Sequence, residues 1–167
     1  MTESTPLSLP EIGVEQIALL ERLSNAVAVS GDEGEVRKIV MSEIKDLAVD
    51  IKVDALGNVL AVRHARQKPA MRVMLAAHMD EIGFMLVEGE DGLFRFETVG
   101  GIDVRQLPGK TVLVGKEHLP GVIGAKPIDH TTPEERRNAI ALDTMRIDVG
   151  MDNGKKVKPG DRATFAT

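Results

Sequence analysis

The stretch AAHMDEIGF, Ala76 to Phe84, places three residues able to do chemistry within four positions: His78, Asp80 and Glu81. An unbroken apolar run, Val73 to Ala77, leads into them. In an extended segment residues i and i+2 share a face, so His78 and Asp80 can address one point while Glu81 points away. A neutral imidazole is a ligand for zinc or cobalt. A carboxylate that accepts its other ring N–H fixes the tautomer and raises the basicity of the ligating nitrogen. The same residues would also suit a strand end turning towards solvent, and H-x-D spacing alone leaves both readings open.

Position decides what such residues can do, since open α/β sheets bind ligands beyond the carboxyl ends of their strands. Met71 to Ala77 is apolar almost throughout, the pattern of a central strand covered on both faces. Upstream, Ile17, Leu20 and Leu23, with Leu19 beside them, predict a helix over Val14 to Ala26. Val36, Ile39, Val40, Ile44 and Leu47 mark the face of a second, with Ser30 and Glu33 at capping-box spacing and Asp32, Glu33 and Glu35 in its first turn. The period then changes to two. VDIKVD and VLAVRH, joined through Gly57 and Asn58, predict a hairpin over Val49 to His64, and residues 66–69 form a polar connection. Beyond Asp80, six short strand candidates separated by glycine and proline predict a small barrel or sandwich (IGFMLVE, LFRFETVG, KTVLVG, GVIGAK, MRIDVG and RATFAT). TPEERRNAI interrupts them as a helix capped by Thr132, with Pro133 at its first position. The expected class is α/β, an αα-then-α/β front part meeting a β-rich second part near residue 81.

The chain of 167 residues carries a net charge of −5, four phenylalanines, no Trp or Tyr and no cysteine. Thiolate metal sites and cysteine nucleophiles are excluded. Net acidity and scarce aromatics argue against nucleic-acid binding. No apolar stretch approaches the length of a membrane span, and MTESTPLSLP lacks the pattern of a signal peptide, so a short polar tail, no membrane partner and a cytoplasmic location are expected.

AAHMDEIGF is followed in order by FRFETVGGIDVRQLPGKTV, GVIGAKPIDH, PEERR, IDVG and VKPGDRATF, and preceded by SGDEGEVR and DALGNVLA. This series resembles the N-terminal half of the deblocking or glutamyl aminopeptidases, tetrahedral co-catalytic metallopeptidases some of which carry the name endoglucanase or cellulase M. The resemblance implies an incomplete zinc-peptidase-type α/β domain (its N-terminal part residues 1–80) interrupted by a β-rich dimerisation insert (81–160), with 161–167 starting the return to the first domain. It implies a peptide substrate, two divalent metal ions (zinc or cobalt), and a homo-oligomer built from dimers up to a dodecamer. By the same resemblance His78 matches the first metal ligand, and Asp80 the non-ligating carboxylate of the catalytic site that orients it. The remaining site residues of that family lie beyond the point matching Thr167. One ligand and one orienter cannot hold two metals, so this chain is expected to be a fragment with little activity of its own.

Other candidates have simpler readings. Glu81 is expected to be structural, and His64 and His118 to be solvated. His130 is expected to belong to a loop or interface, and Asp103 with Arg105 to a local turn or interface pair. The leading functional expectation is a metal-dependent aminopeptidase. The alternative is an assembly module with a vestigial metal site. Endoglucanase activity is disfavoured, since glycoside hydrolysis needs paired carboxylates across a sugar site.

Overall fold

Glycines with positive φ set most of the corners. In a computed structural model that describes residues 11–48, 50–66 and 71–166, two helices and a hairpin precede a closed six-stranded barrel. The expected polar tail, Val49, and most of the 66–69 connection lie outside the described residues.

Helix α1 spans Val14–Ser24 and α2 spans Gly34–Ile44. On α1 the expected stripe is only partly used. Leu19 and Leu23 are half-buried, whereas Ile17 and Leu20 face solvent. On α2 only Val36 is fully buried. The capping box expected at Ser30 does not form. With Ser30 as the cap, Gly31 would be the first helical residue, but its φ of +87° excludes a right-handed turn. The helix starts three residues later, and Glu33 instead accepts from the Gly31 N–H at 2.6 Å.

The hairpin forms as expected, with β1 (Asp50–Val53) antiparallel to β2 (Val59–Val62). Asp54 closes its turn by accepting from Leu56 N at 3.0 Å, Asn58 N at 2.9 Å and Asn58 Nδ2 at 2.9 Å. Arg37 of α2 ties the hairpin down by donating from Nε to the Gly57 carbonyl at 2.8 Å.

The expected central strand at Met71 to Ala77 is not a strand. Met71, Val73, Met74 and Leu75 are 87, 75, 87 and 94% exposed. A strand exists only through ladder bonds to a neighbour, and β1 and β2 pair only with each other. The apolar run thus lies on the surface.

The barrel comprises β3 (Gly83–Glu90), β4 (Leu93–Val99), β5 (Thr111–Val114), β6 (Leu119–Gly124), β7 (Arg146–Asp148) and β8 (Arg162–Phe165). Its circular order is β3-β4-β7-β6-β5-β8, every pair antiparallel. Of the barrel and the sandwich allowed by the sequence, the barrel is the one formed, and closure leaves no free edge. β8 lies within the stretch expected to begin a return, and here it sits between β3 and β5. The β3–β4 turn is Asp91-Gly92, both with positive φ (52° and 85°), as a tight two-residue hairpin requires.

Alternation fills the interior. Phe84 and Leu86, Phe94 and Phe96, and Val112 and Val114 point inward in i, i+2 pairs, joined by Ile123, Ile147 and Ala163. Phe84 meets Phe96 and Phe165 edge-on, at centroid separations of 5.2 and 5.1 Å. Such pairs add roughly 0.5–1.5 kcal/mol each beyond area burial. The expected helix at TPEERRNAI shrinks to a single turn, Glu135–Arg137. Its reciprocal cap is present, with Glu135 N donating to Thr132 Oγ1 at 3.2 Å and Thr132 N to Glu135 Oε2 at 2.6 Å. Asn138 then turns extended, and its side-chain amide rather than its backbone N–H donates to the Glu134 carbonyl, at 3.2 Å.

A seam joins the front part to the barrel. Val29 is fully buried and bridges in parallel to Glu81. Glu81 N donates to the Ala28 carbonyl at 2.8 Å, and Glu81 Oε1 accepts from Thr164 Oγ1 at 2.9 Å and from Ala28 N at 3.3 Å. Among the described residues, no helix is long and apolar enough to cross a membrane.

Candidate metal centre

Immediately after the exposed run, the His78 ring folds back on its own chain. Its Nδ1 lies 2.8 Å from the Asp80 carbonyl oxygen and 3.1 Å from Asp80 Oδ1. A carbonyl oxygen can only accept, so Nδ1 must carry the proton. The neutral ring therefore presents the lone pair of Nε2, the nitrogen turned from Asp80, as a ligand should. His78 is 85% exposed at its side chain.

Asp80 is held from its other oxygen. Ser30 Oγ donates to Oδ2, so the two carboxylate oxygens serve two different partners. The Ser30 hydroxyl, above all, keeps the Asp80 carboxyl below its usual range; burial opposes this, while its own backbone amide and His78 assist. Asp80 thus stays an anion able to accept from the imidazole. Both residues line a recess of about 430 Å³ with Leu23, Val36, Val40 and Val59.

The structure brings His78 and Asp80 together and leaves the other histidines apart. His64 follows β2 on the surface, and His130 is exposed in a turn at Ile128–His130. His118 differs from the solvated residue expected. Its Nε2 meets Glu35 Oε1 at 2.6 Å, and Glu35 Oε2 also accepts from Val27 N at 3.1 Å, so the pair spans the seam. Glu81 is committed to Ala28 and Thr164. Asp103 and Arg105 close on each other locally, with Arg105 Nη2 donating to Asp103 Oδ2 at 2.6 Å. Ser30 escaped sequence reading because its i, i+3 spacing to Glu33 already had a local explanation.

A catalytic zinc takes about three protein ligands. Among the described residues no group of three or more His, Asp or Glu could hold a metal ion. His78 with its oriented ring therefore fits one position of a metal centre and does not make a whole one.

Comparison with known proteins places the chain in a family. A family model described as M42 glutamyl aminopeptidase matches residues 57–167. The lysyl aminopeptidase of Pyrococcus furiosus is 33% identical over 84% of this chain and 41% of its own length. Among solved structures, a TET aminopeptidase from the marine sediment archaeon Thaumarchaeota archaeon SCGC AB-539-E09 superposes with a TM-score of 0.81 at 30% identity, over 90% of this chain and 44% of that one. The Pyrococcus horikoshii TET1 peptidase, which can assemble into a tetrahedron or a large octahedral shell, gives a TM-score of 0.74 at 37% identity, over 89% and 46%. The chain spans less than half the length of these relatives.

Proposed function

This chain belongs to the M42 glutamyl aminopeptidase family, and from that premise we propose that it supplies one corner of a two-metal site that removes N-terminal residues from peptides. One observation carries the reading: the Asp80 carbonyl and Oδ1 together hold the proton on His78 Nδ1 and leave the Nε2 lone pair free to ligate. His78 would hold one divalent ion, zinc or cobalt, through Nε2. Asp80 would keep the ring in that tautomer and orientation without ligating. When bound, such an ion lowers the pKa of its water and polarises the peptide carbonyl. Glu81, spent on the seam, takes no part in proton transfer.

The front part, to residue 80, then belongs to the zinc-peptidase-type domain, and the β-rich part after it serves as an insert that pairs subunits. With a single oriented imidazole, the 167-residue chain should bind zinc weakly and turn over little or no aminoacyl substrate. Zinc titration by calorimetry, with His78→Ala as the control, tests the site. Tight binding that survives His78→Ala would remove the assignment, and steady peptidase turnover by the chain alone would remove the expectation of inactivity.

A second reading, an assembly module with a vestigial metal site, is favoured by the exposed apolar residues Ile17, Leu20, Met71, Val73 and Leu75. Contiguous apolar surface promotes association. A metal-free stable dimer in light scattering would support this reading, and a monomer retaining zinc at His78 would oppose it.

A further inference from the structure

We propose that Ser30 is a positioning residue for the metal ligand, setting the tautomer and direction of His78 through Asp80. The inference rests on the reading of His78 as a ligand and goes beyond it to a residue that touches neither metal nor substrate.

Packing leaves His78 nothing else to rely on. Its side chain is 85% exposed and the run before it is unpaired. Among the described residues the ring's hydrogen bonds go to Asp80, through the backbone oxygen and Oδ1. Asp80 is itself half-exposed, and the hydroxyl of Ser30 is what holds its second oxygen. Without that donor the carboxylate can turn about its terminal torsion, which has only a broad preference of its own. Oδ1 would then leave the imidazole, and Oδ2 would compete for it or for water.

Ser30 in turn is placed from both sides. The preceding residue, Val29, is fully buried and bridged to Glu81. The Ser30 carbonyl accepts from Arg162 Nε of β8 at 3.4 Å. The relay therefore begins at the barrel seam and ends at the ligand: Glu81 and Arg162 fix Ser30, Ser30 fixes Asp80, and Asp80 fixes His78.

Long-range proton–nitrogen correlation spectra of the histidine-labelled 167-residue chain, about two pH units above the ordinary imidazole value, read the tautomer directly. The His78 signal is assigned by its loss in His78→Ala, and His118 serves as an internal reference bonded to Glu35. The Nδ1–H form should dominate in the native chain. In Ser30→Ala the Nε2–H form that free imidazole prefers in water should gain population, because the Asp80 carbonyl alone then favours Nδ1–H, with the barrel amide spectrum unchanged. Ser30→Thr, which keeps the hydroxyl, should restore the native pattern. Zinc added to the same samples should bind about 10-fold more weakly to Ser30→Ala, the lower end for loss of a ligand-orienting partner. If Ser30→Ala disturbs the barrel, Ser30→Cys keeps the volume with a weaker donor and carries the same test.

A native-like tautomer in Ser30→Ala overturns the role of Ser30, even where zinc binds through His78 as proposed. A tautomer that shifts in Ser30→Ala upholds it, even where zinc fails to bind the native chain, and then only the metal assignment falls.

Discussion

Replacing Gly83 by alanine should loosen the barrel from the front of the chain, and the size of the effect follows from what surrounds the missing Cβ. That atom would lie 2.6 Å from the Ala163 carbonyl oxygen and 2.6 Å from Val29 Cγ2. The first is backbone of β8, paired to β3 through Phe84 and Ala163, and cannot swing aside. The second is a fully buried methyl of the seam. Forcing a methyl into a packed site costs roughly 1–3 kcal/mol. For a chain of this size, about 2 kcal/mol lowers Tm by about 4–8 °C. Far-UV circular dichroism is the suitable probe, since the chain has no Trp or Tyr. Val29→Ala alone should cost about 2 kcal/mol through lost burial and a residual cavity. Combined, the two should cost about 1 kcal/mol less than their sum, because the new methyl enters the space the old ones left. A Gly83→Ala chain as stable as the native one, or two costs that simply add, would refute the close packing of Val29 on β3.

Two further outcomes follow from the barrel and its rim. The Asp103 carboxyl is held down to about 2, first by the Arg105 side chain and then by its backbone N–H. Because the folded value is depressed, any stability it contributes is present above the ordinary value of 3.8 and is lost as pH falls through about 2. A carboxyl-carbon NMR titration should place its midpoint there, and Arg105→Ala should raise it towards the ordinary range; an unmoved midpoint would contradict the pairing. Phe96→Ala removes a fully buried ring that meets Phe84 edge-on and should cost about 3–5 kcal/mol, read as a drop in the urea midpoint. A loss under 1 kcal/mol would mean the ring is not part of the packed interior.

The barrel was legible because its signals are local. Pairs such as Phe84 with Leu86 and Phe94 with Phe96 show period two directly, and Asp91-Gly92 marks a tight turn between them. Closure was not legible, since it depends on β8 reaching β3 across the whole second part of the chain. The helix start misled for a related reason: nothing in the letters SGDE reveals that Gly31 adopts a positive φ. That one torsion frees the Ser30 hydroxyl from capping and lets it reach Asp80, fifty residues on. The contact of His78 with Asp80 was legible because their relation is a spacing of two. Met71 to Ala77 was misjudged because apolarity signals a tendency to be buried and says nothing of which neighbour buries it.

The exposed run and the exposed histidine express the same structural condition. A ligand at the end of a paired strand inherits its direction from the sheet. His78 follows a run with no strand partner among the described residues, so its direction comes from downstream, where Glu81 bonds Ala28 and Thr164. Substitutions in this seam should therefore reach His78, whereas substitutions that only enlarge the barrel interior should not. Glu81→Gln separates the two. Both bonds land on Oε1, and a neutral amide oxygen accepts them more weakly than a carboxylate, so the barrel should hold while Ala28, Val29 and Ser30 gain freedom. The His78 tautomer should then become mixed at unchanged barrel stability. A Glu81→Gln chain with an undisturbed His78 would show that Asp80 keeps its place without the seam.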